Sequence, residues 1–63
     1  MRIYCIEYSR DFLELDLIRN ASSGAKVLEI SLATAPSFEE VILDKQKAIK
    51  LRDELTRLIK EME

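Results

Sequence analysis

Three acidic side chains are spaced as strand geometry would require to bring them together. Glu14 and Asp16 are two residues apart in FLELDLIRN, and Glu29 lies in the middle of AKVLEISLAT. Residues two apart on a strand share a face, so on paired strands these acids could converge on a hard cation such as calcium or magnesium. The preferred interpretation is a solvated strand face that needs no ligand, because two or three acids without loop ligands match no metal pattern closely, so no metal site is predicted.

Catalysis by the common arrangements is disfavoured by what the chain lacks. It has no histidine, which removes the usual general base and every serine–histidine or cysteine–histidine pair. Its single glycine cannot supply a Gly-rich phosphate loop. Its single cysteine, Cys5, excludes an internal disulfide and multi-cysteine zinc sites. A carboxylate pair could serve glycoside chemistry, but 63 residues leave little room for a sugar cleft. The sequence therefore predicts a non-enzyme without a cofactor.

The basic residues are concentrated near the C-terminus, although the formal net charge is −2. Lys47, Lys50 and Arg57 are the candidates for contacts with nucleic-acid phosphates. Such surfaces usually combine a strong basic excess with aromatic stacking platforms, and the chain has only two tyrosines and two phenylalanines. Nucleic-acid binding is therefore the alternative function, and solvation of a helix explains the same residues.

The elements that would position these side chains follow from hydrophobic periodicity. Residues 12–19 and 26–34 alternate apolar and polar positions, which predicts two strands that each bury one face. The intervening NASSGAK contains the only glycine and predicts a hairpin loop, so the strands should pair antiparallel. Pro36 should end the second of these strands by Ala35, because proline cannot donate to a sheet ladder.

Two further strands and a helix complete the predicted fold. Residues 2–9 and 39–43 are strand-like, and Asp44 should cap a helix over residues 45–62 whose apolar positions recur at spacings of three and four. The first strand has apolar residues on both faces, so its facing is ambiguous. We expect Tyr4, Ile6 and Tyr8 to face the core, with Ile3 and Cys5 outside.

The sequence thus predicts one α+β domain over residues 1–63, a three- to four-stranded antiparallel β-meander with a C-terminal amphipathic helix on one sheet face. The expected core is apolar throughout and joins the sheet to the helix: Leu13, Leu15, Leu17, Leu28, Ile30, Leu32, Val41, Leu43, Leu51, Leu55 and Leu58. The opposite, outer face would carry the three acids among apolar side chains, a mixture that suggests cover by another chain.

The last strand and helix, VILDKQKAIKLRDELTRLI, carry a family resemblance. An apolar strand, a cap at Asp44 and apolar residues at Ala48, Leu51 and Leu55 resemble the end of the single-stranded-DNA-binding transcriptional coactivator (Whirly-like) group. The resemblance implies a dimer completed by these elements. It carries over no binding residue, because that family's sheet binds with basic and aromatic residues where Glu14, Asp16 and Glu29 stand here.

These observations favour a small protein-interaction module that forms a homodimer and binds a protein partner through the outer sheet face. The expected apolar contacts are Ile3, Phe12, Ile18, Val27 and Ile42, and the acids Glu14, Asp16 and Glu29 would favour a basic partner. Without a signal sequence or a membrane-spanning segment, a cytoplasmic location is expected. Compact orphan domains of this kind suggest an origin in a phage or another mobile element.

Overall fold

The strands pair in the order in which they follow one another along the chain. The computed structural model describes residues 1–63 as β1 (Arg2–Tyr4), β2 (Phe12–Arg19), β3 (Lys26–Thr34), β4 (Ser37–Leu43) and helix α1 (Lys45–Glu61). One four-stranded sheet has the order β1-β2-β3-β4, and each neighbouring pair is antiparallel. The fold is therefore the predicted α+β meander with a C-terminal helix.

The β2–β3 hairpin forms the centre of the sheet. In its register Leu15 lies opposite Ile30 and Asp16 lies opposite Glu29. The leucine residues of both strands therefore share one face, and the acidic residues share the other. The connecting loop is held by Asn20, whose Oδ1 accepts hydrogen bonds from the backbone N–H groups of residues 22 and 23 at 2.8 and 3.1 Å. Gly24 follows with a φ of 73°, a left-handed conformation that glycine adopts without a steric penalty.

The first strand is shorter than predicted and faces the other way. It ends at Tyr4, and its register pairs Ile3 with Leu13, which places Ile3 on the same side as the leucines of β2. The following residues form a loop closed by a hydrogen bond from the Asp11 N–H to the Tyr8 oxygen. Ile6 is 99% exposed and Tyr8 is 63% exposed, so their predicted core positions are wrong. The segment lacks an alternating pattern that could specify its register.

The helix begins where the sequence predicts. Asp44 is the N-cap, and its Oδ1 accepts a hydrogen bond from the Lys47 N–H at 2.9 Å. Lys45 and Ala48 share a groove of about 270 Å³ with Leu28 and Leu43, so the first turns of the helix lie against the adjoining ends of β3 and β4. The helix is too short and too polar to cross a membrane.

The sheet has two chemically distinct faces. We call the first the leucine face; its side chains are apolar except at the ends, and its members are Ile3, Leu13, Leu15, Leu17, Arg19, Lys26, Leu28, Ile30, Leu32, Glu39, Val41 and Leu43. We call the second the acidic face; it combines carboxylates with apolar and aromatic residues, and its members are Arg2, Tyr4, Phe12, Glu14, Asp16, Ile18, Val27, Glu29, Ser31, Ala33, Phe38, Glu40 and Ile42.

The predicted core does not close within one chain. None of its eleven members is fully buried; the buried residues of the structure are Val27 and Ser31, both on the acidic face. On the helix only Ala48 and Leu51 are even partly covered, and every residue beyond Leu51 is exposed. The Cα radius of gyration is 13.5 Å, against about 10.6 Å expected for a compact chain of this length. The helix contacts only β3 and β4, and it does so through its first turns, so most of the leucine face has no helix over it.

Candidate functional site

The acidic face brings together the three acids that the sequence singled out. Asp16 and Glu29 are direct cross-strand partners, and Glu14 is the next residue along β2 on the same face. Side chains opposite each other on antiparallel strands have Cβ atoms about 5 Å apart, so like charges on Asp16 and Glu29 repel. The register therefore places the three carboxylates next to one another on one face, as the alternation of the two strands predicts.

A fourth carboxylate, Glu40, joins this cluster from β4. Glu40 lies opposite Ser31, one position diagonal to Glu29. A hydrogen bond with Glu40 raises the pKa of the Glu29 carboxyl above its ordinary value. Desolvation and the nearby negative charges of Glu40, Asp16 and Glu14 raise this pKa further. The sequence contains the signal for Glu40, because it precedes the outward-facing Ile42 by two residues.

The cluster does not have the arrangement of a metal site. No group of three or more carboxylate, thiol or imidazole side chains is placed so that it could hold a metal ion. Neighbouring carboxylates on one sheet face repel one another unless a proton, a cation or a basic group lies between them. The face is therefore better suited to basic side chains than to a coordinated ion.

At one edge of the acidic face, Arg2 contacts both a carboxylate and an aromatic ring. Its Nε donates a hydrogen bond to Glu14 Oε2 at 2.9 Å, and its guanidinium carbon lies 4.2 Å from the centre of the Phe12 ring. The same ring packs against Tyr4 with centroids 5.6 Å apart. These contacts are a charge-assisted hydrogen bond, a cation–π contact and a tilted aromatic pair. Sequence reasoning missed this group because it placed Tyr4 in the core.

The predicted apolar contact residues are divided between the two faces. Phe12, Ile18 and Ile42 lie on the acidic face, and Ile42 is 48% exposed. Val27 is on this face but only 8% exposed, so it offers little surface to a partner. Ile3 lies on the leucine face, which corrects its predicted position. Phe38, which was not predicted, is 59% exposed beside Ala33 on the acidic face.

Some basic residues of the helix form ion pairs with acidic side chains of the same helix, and others do not. Arg57 forms ion pairs with Glu54 and Glu61, and the hydrogen bond with Glu54 is the main reason why the pKa of the Arg57 guanidinium is raised. Lys47 and Lys50 are exposed and form no ion pair. Of the three candidates for phosphate contacts, Lys47 and Lys50 therefore keep their full positive charge available, whereas the charge of Arg57 is partly balanced by Glu54 and Glu61.

Comparison with known proteins identifies no relative: no protein-family model, no curated protein and no solved structure matches the chain. Its functional interpretation rests on the two sheet faces and the helix.

Proposed function

We propose that the chain is a homodimeric protein-interaction module that binds a basic protein partner through its acidic face. The observation that carries this proposal is the combination of four clustered carboxylates with exposed apolar and aromatic side chains on one face of the sheet. Interfaces of this kind take affinity from apolar anchors and take orientation and association rate from charge complementarity.

Charge supports a basic partner rather than a neutral one. Glu14, Asp16, Glu29 and Glu40 share this face, and Arg2 balances only Glu14 by a direct ion pair. The pKa of Glu29 is raised by its hydrogen bond with Glu40, by desolvation and by the nearby carboxylates, and a lysine or arginine of a partner would offset the negative charge of this group. A basic side chain would therefore replace an unfavourable contact by a favourable one.

Apolar anchors are available around the carboxylates. Tyr4 is 55% exposed, and Phe38 and Ile42 are exposed to a similar extent. Aromatic residues are enriched at interfaces because they offer a large contact area for little conformational entropy. Phe12 and Ile18 are partly covered and would extend the apolar contact between the exposed residues.

A selection from a displayed random-peptide library would test the proposal. We expect the wild-type chain to enrich peptides rich in lysine or arginine together with apolar residues. Asp16→Lys should weaken binding of the selected peptides about tenfold or more. This substitution also replaces a like-charged cross-strand pair by an opposite-charged pair, which the fold should tolerate.

Glu7→Lys is the matched control, because it makes the same change of charge in the exposed β1–β2 loop. It should leave peptide binding nearly unchanged. Equal binding by the wild type and Asp16→Lys, or enrichment of peptides without basic residues, would contradict the proposal.

A further inference from the structure

The leucine face is the largest apolar surface that the single chain leaves open. Leu17 is 68% exposed, Val41 50% and Leu32 42%, although all three point to the same side of the sheet. The helix adds to this surface, since Leu55 is 48% exposed and Leu58 is 40% exposed. A second groove of about 290 Å³, lined by Ile3, Leu13 and Leu32 among others, lies at the end of the face far from the helix.

The exposed area exceeds that of a compact monomer by the amount that a dimer buries. The accessible surface is 5535 Å², whereas a folded monomer of this mass exposes about 4,200 Å². The excess is about 1,300 Å² per chain, or about 2,600 Å² for two chains, within the range of obligate homodimer interfaces. A transient contact of standard size buries only about 800 Å² per partner.

The dimensions of the elements explain why one chain cannot cover this surface. Four strands at a spacing of about 4.8 Å make a sheet about 19 Å wide, and a helix with its side chains is about 10 Å across. A single helix could therefore cover at most two strands, and α1 covers less, because only its first turns lie against the ends of β3 and β4. The rest of the leucine face, which includes Leu17, Leu32 and Val41, needs another cover.

The charges at the two ends of the leucine face are complementary under two-fold symmetry. Arg19 and Lys26 are cross-strand partners at one end, and Glu39 lies opposite Leu32 towards the other end. A two-fold axis that lies in the plane of the interface and runs across the strands would bring the basic end of one copy towards the acidic end of the other. Closed two-fold dimers are also the commonest oligomers of soluble proteins.

We infer that a second copy of this chain covers the leucine face, that the interface includes the exposed half of the helix, and that the chain folds fully only as this dimer. The inference rests on the homodimer of the proposed function and specifies its interface. It does not depend on the partner proposed for the acidic face. In the dimer the acidic face stays exposed on the opposite side of each sheet.

Val41 and Ile42 provide a matched test. They are neighbours on β4 with almost equal exposure, 50% and 48%, and they point to opposite faces. Val41→Lys should raise the dimer dissociation constant about tenfold or more, measured by sedimentation equilibrium, because it places a charge in the apolar interface. Ile42→Lys should leave the dissociation constant within about twofold of the wild-type value.

A second measurement covers the case in which Val41→Lys does not fold. For the wild-type chain, the midpoint of thermal unfolding should rise with protein concentration across about a thousandfold range, because association stabilises only the folded state. On the helix, Leu58→Lys should weaken the dimer, whereas Thr56→Lys, on an exposed neighbouring position, should not.

The results separate this inference from the proposed partner. A wild-type chain that sediments as a monomer throughout, with an unfolding midpoint independent of concentration, would overturn the inferred dimer. Equal dissociation constants for Val41→Lys and Ile42→Lys would overturn the assignment of the interface to the leucine face. Failure of peptide binding in a chain that still dimerises would count against the acidic face alone.

Discussion

At the scale of single residues, the carboxyl of Glu29 is the group whose protonation the fold alters most clearly. Its pKa is raised in the folded chain by the hydrogen bond with Glu40 and by the surrounding acids. The folded state therefore holds this proton at a pH where the unfolded state has lost it. As the pH falls through the raised pKa, the contribution of this group to folding stability improves, and above that pKa the repulsion of the charged cluster opposes folding.

We expect Glu29→Gln to raise the thermal unfolding midpoint at neutral pH. The amide removes one charge of the cluster while it keeps the size of the side chain. The gain should shrink as the pH is lowered below the ordinary range of carboxyl pKa values, where the wild-type residue is also neutral. Thermal unfolding followed by circular dichroism at several pH values measures this effect.

Glu7→Gln is the control, because it removes the same charge from an exposed loop. A stabilisation by Glu29→Gln that persisted unchanged at low pH would show that charge repulsion is not its cause.

The contrast between Glu29 and Ile3 shows which residue positions the sequence could predict. Glu29 belongs to a segment with strict alternation, so its face and its convergence with Glu14 and Asp16 followed from the period of two. Ile3 belongs to a segment whose two faces are both apolar, and either register satisfies such a pattern. Its true face is fixed by pairing with Leu13, which no local feature of the first strand specifies.

At the scale of elements, the helix shows how a local signal defines a boundary. Asp44 accepts the backbone N–H of Lys47, which would otherwise lack a partner in the first turn. Asp44→Ala should lower the free energy of unfolding by about 1 kcal/mol, because the first turn loses its cap. Chemical denaturation followed by circular dichroism at 222 nm, a standard helix band, measures the loss at one fixed protein concentration.

Asp44→Asn provides the control, since its side-chain oxygen can accept the same hydrogen bond. It should retain most of the stability that Asp44→Ala loses. An equal loss in both variants would assign the effect to the charge of Asp44 rather than to the cap.

The elements that the sequence predicts well are those with local sequence signals. β2, β3 and α1 are set by alternation, by the glycine-containing loop and by the cap, and their predicted bounds agree with the structure to within one residue. β4 begins two residues earlier than predicted, directly after Pro36. β1 ends after three residues because the chain turns away into a loop. Tertiary pairing rather than propensity sets these last two boundaries.

At the scale of the whole molecule, the distribution of charge bears on the nucleic-acid alternative. The helix carries six basic and three acidic residues, whereas residues 1–44 carry four basic and eight acidic residues. Single-strand binding usually combines a basic groove with aromatic stacking platforms, whereas all four aromatic residues of this chain lie in the acidic part, residues 1–44. This distribution favours a protein partner.

We therefore expect no saturable binding of a labelled oligothymidine, measured by fluorescence anisotropy at about 0.15 M salt. The test includes the double variant Lys47→Glu/Lys50→Glu, which reverses the charge of two lysines that form no ion pair, and Arg10→Glu as a control in the β1–β2 loop. Saturable binding that weakens steeply with salt, and that only the double variant abolishes, would favour the nucleic-acid function instead.

The whole-molecule scale is also where sequence reasoning failed on the core. The predicted apolar residues do face one side of the sheet. Their pattern specifies which face each side chain points to, but not how much of that face the helix can bury. Cover depends on the width of the sheet relative to a single helix, and that relation emerges only once the strands are paired.

The loop between β2 and β3 offers an attachment point for experiments on either surface. Asn20 and Gly24 shape this loop locally, and residues 21–25 are all exposed. Exposed loop tips of small, polar residues are the positions at which domains best tolerate inserted sequence. A fluorophore, an affinity tag or a grafted epitope placed there would report on assembly from outside both contact regions.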